Sequence, residues 1–279
     1  MLNFAPILDA VIPVAGDVIN KEFIISAKKL KIISAFSVGY DNIDIKTAAQ
    51  YNIPVTNLPD IVTESTAELT FLIMLALSRR LLDCDNYIRY HNDYNWHPFL
   101  FLSNELFNKK LGIIGLGRIG KAVAIRAISF GMSVYYYDVN CLDNLSFNAT
   151  FLPFENLLKE VDYLTLHIPY SKATHHMIGA NEFKLMKNST YFVNASRGSV
   201  VDQEALIKAL KEGQIKGAAL DVFETEPQVP EELIKLKNVV LTPHVGTNTI
   251  ETNYKMALEA SRKIIQVFNG QTPTNIVNI

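Results

Sequence analysis

The sequence predicts an α/β protein of two domains, each built on a parallel sheet flanked by helices. Three observations carry this reading. Short β-branched or aromatic runs alternate with helical stretches, the sequence form of parallel strands joined by crossover helices. At 279 residues the chain is long for one ordinary domain and short for three. With 49% hydrophobic and 19% charged residues, its composition excludes disorder and a coiled coil and leaves ample core.

The elements follow in order. The N-terminal set has strands expected over 9–13, 32–36 and 54–56, and helices over 21–29 and 45–50. One long apolar helix is expected over 66–90. A second set begins at Lys110, with strands over 111–114, 133–137, 163–168, 191–194, 218–222 and 239–242. Gly131 closes the helix that starts near Ile119; Asp202 caps another, which Gly213 closes. A last helix over 250–268 is expected to pack back on the N-terminal set, which makes that domain discontinuous. The expected domains are therefore 1–90 with 247–279, and 91–246.

Several function classes are excluded. Lys plus Arg is 26 and Asp plus Glu is 28, so no basic excess exists to hold a phosphate backbone, and nucleic acid is not expected as a partner. Cys84 and Cys141 form no CxxC, which argues against a disulfide framework or a structural zinc and suits a reducing compartment. The N-terminus has no basic region followed by an apolar run, and the apolar run over 71–77 is far below the ~20 residues that span a bilayer. A cytoplasmic protein without a membrane partner is expected. His175 and His176 are adjacent, which suits neither a helical metal site nor a shared general base, and His91 and His97 flank Trp96 in a loop or arm. No metal site is expected.

Gly115-Leu116-Gly117-Arg118-Ile119-Gly120 lies between the strand at 111–114 and the following helix. The first glycine permits the tight turn, the second lets a pyrophosphate approach the backbone, and the third lets helix and strand pack closely. The helix start offers free N–H groups and a positive dipole end to phosphates. GxGxxG alone is weak; here the strand–turn–helix context is met. The next strand ends in Asp138, 18 residues after Gly120, where a carboxylate can accept from both ribose hydroxyls and repel a 2′-phosphate. The reading is a Rossmann-like domain that binds NAD in preference to NADP.

Ligands of open α/β sheets sit beyond the carboxyl ends of the strands. There the sequence places His167-Ile168-Pro169, Ala195-Ser196-Arg197-Gly198, Phe223-Glu224-Thr225-Glu226 and Pro243-His244-Val245-Gly246. Taken singly, such an arginine is ordinarily a surface ion pair, such a glutamate a solvated loop residue and such a histidine a satisfied core group. One of each on one rim of a dinucleotide-binding sheet points to a site. Asp221, inside its strand, is expected to accept from a carboxamide or pair with an arginine rather than act as an acid.

With these residues in place, the sequence resembles the NAD-dependent D-2-hydroxyacid dehydrogenases, in the style of glyoxylate/hydroxypyruvate reductases. The segments that carry the resemblance are 37–44, Thr66-Ala67-Glu68-Leu69, 112–120, 193–198, 220–227 and Thr242-Pro243-His244-Val245-Gly246, in this order. The resemblance implies two Rossmann-like domains, a doubly wound NAD-binding one and a smaller flavodoxin-like substrate domain. It implies reversible reduction of a small 2-oxo acid to a D-2-hydroxy acid. By the same resemblance Arg197 holds the substrate carboxylate and polarises its carbonyl, and Glu226 pairs with His244, the proton donor or acceptor. The backbone N–H groups of Val38 and Gly39 face the carboxylate, with Thr66 in the substrate set. Thr66, His167, Ile168, Pro169, Ala195, Asp221 and Gly246 line the cofactor cleft beside Gly115, Gly117, Arg118, Ile119, Gly120 and Asp138. The chemistry agrees: a hydride reaches C2, the new alkoxide needs a proton, and Glu226 beside His244 favours the imidazolium that supplies it. Arginine supplies a planar fork for the carboxylate.

The resemblance further implies a homodimer formed through the NAD domain. Trp96, Phe99, Leu100, Phe101, Leu102, Leu106 and Phe107 crowd residues 91–108, which puts that segment in or near the contact, or alternatively over the base of the long helix. Relatives also carry a further strand and helix, roughly 30 residues, ahead of the strand at 9–13. Some relatives place a basic residue after that strand; Ala15-Gly16 stands here, which disfavours a phosphorylated substrate. A different reading of the same residues is a non-catalytic, NAD-sensing interaction protein of the corepressor type, or a degenerate paralogue.

Overall fold

The alternation of strands and helices is realised as two parallel sheets in the computed structural model of the chain, which describes residues 2–14, 16–91 and 94–278. Ala15, used above to judge a phosphorylated substrate, lies outside the described residues, as do residues 92 and 93 of the aromatic segment. The chain divides into two units, Met1–Ser65 with Thr247–Ile279, and Thr66–Gly246. One junction between the units falls at 246/247. The other junction falls at 65/66 rather than at 90/91.

The first unit holds β1 (Ala10–Val11), β2 (Ile32–Ser34) and β3 (Val55–Thr56), parallel and in that spatial order. α1 (Lys21–Ser26) starts where the Asn20 side chain accepts from Phe23 N–H, and α2 (Ile45–Gln50) where Asp44 accepts from both the N–H and the hydroxyl of Thr47. Ile19, Phe23, Ile24, Ile33, Ala48 and Val55 are buried together between these elements. The last helix, Ile250–Phe268, does return to this set. Ser34 Oγ donates to Ala260 O at 3.1 Å, and the buried Lys263 reaches Asn57 O at 2.5 Å. Burial holds the Lys263 ammonium below the ordinary lysine range.

The second unit holds seven parallel strands: β4 (Lys110–Ile114), β5 (Ser133–Tyr137), β6 (Thr150–Phe151), β7 (Tyr163–Leu166), β8 (Tyr191–Asn194), β9 (Gly217–Leu220) and β10 (Val239–Leu241). Their spatial order is β10-β9-β8-β7-β4-β5-β6. β4 is thus flanked by β5 on one side and β7 on the other, which makes its carboxyl end the topological switch point. One apolar cluster gathers Ile73, Met74, Ala124, Ile113 and Val193; a second gathers Leu164, Phe192, Leu206 and Leu210.

Three local expectations are corrected. The single helix over 66–90 is two helices, α3 (Thr63–Ser78) and α4 (Leu81–Tyr90). Arg80 between them adopts φ +53°, and its guanidinium turns to Asp83 at 2.9 Å, while Ser78 Oγ donates to Asn104 O. The apolar run ends at Ser78, so no buried face compels the helix to continue. β7 and β9 stop at Leu166 and Leu220, which leaves His167, Ile168 and Asp221 beyond the strands. β6 was not expected, because two residues carry no periodicity. No helix among the described residues is long and apolar enough to cross a membrane.

Candidate functional site

The glycine turn sits at the switch point. Gly115 has φ +90°, and a Cβ there would stand 2.6 Å from Ile168 Cγ2 and 2.7 Å from His167 O. A Cβ on Gly120 would stand 2.3 Å from Gly115 O, so α5 (Arg118–Ser129) can approach β4 only with glycine at that position. Gly117 is different: nothing lies within 4 Å of its Cβ position, and it caps α5 without a side chain. This leaves an open concavity at a helix N-terminus, shaped for a pyrophosphate. Asp138 follows β5 and is fixed beside the turn. Its Oδ2 accepts from Leu116 N and its Oδ1 from Val139 N, both at 2.8 Å, and each oxygen keeps acceptor capacity for a hydroxyl. On α3, the Thr66 hydroxyl is buried and has no hydrogen-bond partner among the described residues. An orphaned buried hydroxyl is costly unless a ligand meets it. The cradle, the anchored carboxylate and this hydroxyl fit NAD.

His167 and Ile168 border the turn, and Pro169 follows them in the chain. His167 N–H donates to Ile114 O, its Nε2 meets Thr165 Oγ1 at 3.1 Å, and desolvation pushes its pKa down to about 3 although the residue keeps some solvent access. The ring is neutral at working pH.

At the end of β8, the buried Asn194 shapes the loop that carries Arg197. Its amide donates to Arg197 O, and its oxygen accepts from the N–H and the hydroxyl of Ser196. Ala195 lies in the same loop, and Arg197 Nη1 donates to Ser196 O at 2.8 Å. The next residue, Gly198, presses on a neighbouring loop: a Cβ there would fall 1.9 Å from Phe223 C and O. That loop carries Glu226, whose Oε1 accepts from Phe223 N–H at 2.9 Å and whose Oε2 meets His244 Nδ1 at 2.7 Å. Burial alone would raise the Glu226 carboxyl. Hydrogen bonds from His244 and Phe223, with the charges of His244 and Arg197, instead hold it below the usual carboxylate range. With Nδ1 given to Glu226, Nε2 is the ring nitrogen free to exchange a proton.

His244 stands in a left-handed conformation, φ +53°, and the loop around it is held by Asp221. The expectation that Asp221 lies inside its strand is corrected. It stands just past β9, buried, and accepts from Thr242 Oγ1 (2.6 Å), Val245 N (2.9 Å) and Gly246 N (2.8 Å). Its partners within the protein lie in the histidine loop. The sequence signal was present: a carboxylate at one strand end faces the loop of the adjacent strand.

Sequence reasoning missed another pair. His176 Nε2 lies 2.5 Å from Glu224 Oε1. Val38 and Gly39 stand on the other unit, in the loop after β2, with their carbonyls taken by Asn57 Nδ2 and Ser37 Oγ. A cavity of ≈ 380 Å³ lined by Arg80, Tyr191, Lys216 and Asn238 lies at the opposite, amino ends of β8–β10 and shares no residue with the set above. Among the described residues, no group of three or more His, Cys, Asp or Glu could hold a metal.

Comparison with known proteins adds the following. The family model described as "D-isomer specific 2-hydroxyacid dehydrogenase, NAD binding domain" matches residues 71–246. The glyoxylate reductase of Thermococcus litoralis is 47% identical over 277 residues, 97% of this chain and 84% of that protein. A protein of Thermus thermophilus superposes with a TM-score of 0.94 at 39% identity, covering 99% of this chain and 88% of that one. The D-lactate dehydrogenase of Aquifex aeolicus, solved with NAD and lactic acid, superposes with a TM-score of 0.90 at 32% identity, covering 100% and 89%.

Proposed function

Because the chain belongs to the D-isomer specific 2-hydroxyacid dehydrogenase family, and is an NAD-dependent enzyme that moves a hydride between a 2-oxo acid and its D-2-hydroxy acid, we propose that Arg197, Glu226 and His244 are its catalytic residues and glyoxylate its substrate. The observation that carries the reading is the His244–Glu226 contact at 2.7 Å, one loop away from Arg197. NADH, when bound, supplies the hydride that reaches C2 of the oxo acid. Arg197 presents a planar fork to the carboxylate and draws electron density toward the carbonyl oxygen. His244 delivers its Nε2 proton to the developing alkoxide, and Glu226 stabilises the imidazolium until then. In the reverse direction the same ring takes the hydroxyl proton.

Other residues have supporting roles in this reading. The Gly115–Gly120 turn with Arg118 and Ile119 seats the pyrophosphate, and Asp138 takes the ribose hydroxyls and disfavours NADPH. Thr66, His167 to Pro169, Ala195 and Gly246 line the cofactor's path, while Val38 and Gly39 N–H groups meet the substrate carboxylate. Asp221 acts on the site by holding the His244 loop. The unit Thr66–Gly246 is the NAD domain and the other the substrate domain. The protein works as a homodimer, and its free cysteines suit the cytoplasm. The glyoxylate reductase relatives favour turnover over ligand sensing alone.

NADH oxidation followed by absorbance with glyoxylate tests the reading. His244→Ala is expected to lower kcat by roughly 10²–10⁴ with NADH affinity kept. Arg197→Ala should raise KM and lower kcat together, since one fork grips both ground state and transition state. A His244→Ala enzyme that retains more than about half of the wild-type kcat would remove the histidine from the mechanism.

A further inference from the structure

One hydrogen-bonded pair of the Thr66–Gly246 unit has no part in the chemistry above. His176 Nε2 meets Glu224 Oε1 at 2.5 Å, with both side chains partly exposed, 36% and 26%. Such a half-exposed pair adds little to stability. Its connections are more informative. His176 N–H donates to Ser199 O at 3.0 Å, two residues beyond Arg197. Glu224 stands two residues before Glu226 and is held a second time by Gln203: Gln203 N–H donates to Glu224 Oε2, and Glu224 N–H donates to Gln203 Oε1, each at 3.3 Å. His176 therefore ties the loop of Arg197, by its backbone, to the loop of Glu226, by its ring.

Three further observations bear on this tie. The two loops already touch at Gly198, whose Cβ position is occupied by the Phe223 carbonyl, so a small shift of one loop is transmitted to the other. His176 is also kept at φ +50°, a left-handed conformation that is unfavourable for an L residue and persists only where the surroundings demand it. The His175 ring stacks on His176 at 3.9 Å and closes its other side.

We propose that His176 and Glu224 form a positioning pair that sets the Arg197 fork against the Glu226–His244 dyad. Neither residue touches the reacting atoms. The pair fixes the spacing between the group that holds the substrate carboxylate and the group that protonates its carbonyl oxygen. The proposal rests on the catalytic reading above. Misplacement of such groups by about 1 Å costs up to 10²-fold in rate.

The experiment measures glyoxylate reduction, NADH binding by fluorescence and thermal melting for the wild type, His244→Ala, His176→Ala, His176→Gln and Glu224→Gln. The first two decide the catalytic reading alone: no NADH oxidation by the wild type, or an active His244→Ala, overturns that reading and with it this one. Where they behave as expected, His176→Ala should raise KM for glyoxylate and lower kcat, each by roughly tenfold, with NADH affinity and melting temperature close to wild type. His176→Gln, whose amide can still donate to Glu224, should recover most of both. If His176→Ala does not fold, Glu224→Gln is read in its place for the same paired change in KM and kcat. A kcat/KM within about threefold of wild type, or a loss that His176→Gln shares in full, overturns the positioning role.

Discussion

His167 shows how burial decides the protonation state of a single side chain. An imidazole in the unfolded chain titrates near 6.5, and here desolvation lowers it to about 3. The sign follows from linkage. A depressed folded pKa favours the neutral ring, so its contribution to stability is complete above about pH 6.5 and is lost as pH falls toward 3. The depressed carboxylate of Glu226 acts in the same direction but only below about pH 4.5. The window between pH 6.5 and 4.5 therefore separates the two. His167→Asn, which can still meet the Thr165 hydroxyl, should melt below the wild type at pH 7, and the gap should narrow steadily toward pH 4.5. A gap that does not change with pH would mean that the ring is not held neutral by its surroundings.

At the scale of elements, the glycine turn divides into positions that serve packing and one that serves the ligand. Gly120→Ala pushes a methyl into Gly115 O across a 2.3 Å gap and should destabilise the fold by about 1–3 kcal/mol. Gly117→Ala meets nothing within 4 Å, and its φ of −71° is open to any residue. Its melting temperature should stay within a few degrees of wild type while NADH affinity drops about tenfold or more, since the methyl occupies the space that a pyrophosphate needs. Calorimetric melts paired with NADH titration read both. Wild-type NADH binding by Gly117→Ala would show that the turn is a packing device only. The break between α3 and α4 belongs at this scale too. It came from a left-handed Arg80 that hydrophobic periodicity does not register, because αL residues other than glycine carry no compositional mark.

For the molecule as a whole, association is the open quantity. Trp96, Phe99, Leu102 and Phe107 are 81%, 68%, 67% and 61% exposed, while Leu106 of the same segment is buried. Phe101 is shared between Arg80 and the Tyr87 ring, at 5.2 and 5.3 Å. So large a group of exposed aromatic and aliphatic side chains on one short segment is the mark of a contact surface. We expect a dimer by sedimentation at micromolar concentration, and a weaker one after Trp96→Ala with Phe99→Ser. A monomeric wild type, or a double variant that dimerises undiminished, would respectively remove the dimer or move its interface.

The sequence by itself determined the two parallel α/β units, the glycine turn with Asp138, and the strand-end placement of Arg197, Glu226 and His244. It could do so because these are local demands. Alternating short apolar runs specify strand and helix, φ +90° at Gly115 calls for glycine, and an open sheet puts its chemistry past the carboxyl ends of its strands. Apart from the Glu226–His244 pair, which the resemblance already implied, the tertiary structure alone decided which groups are partners. Asp221 serves a loop more than twenty residues away, and His176, adjacent to His175 and without any chemical spacing in sequence, finds Glu224 48 positions further on. Partners so far apart in sequence are set by the order β10-β9-β8-β7 and by the crossover helices between those strands, and no window of sequence contains both ends of such a contact.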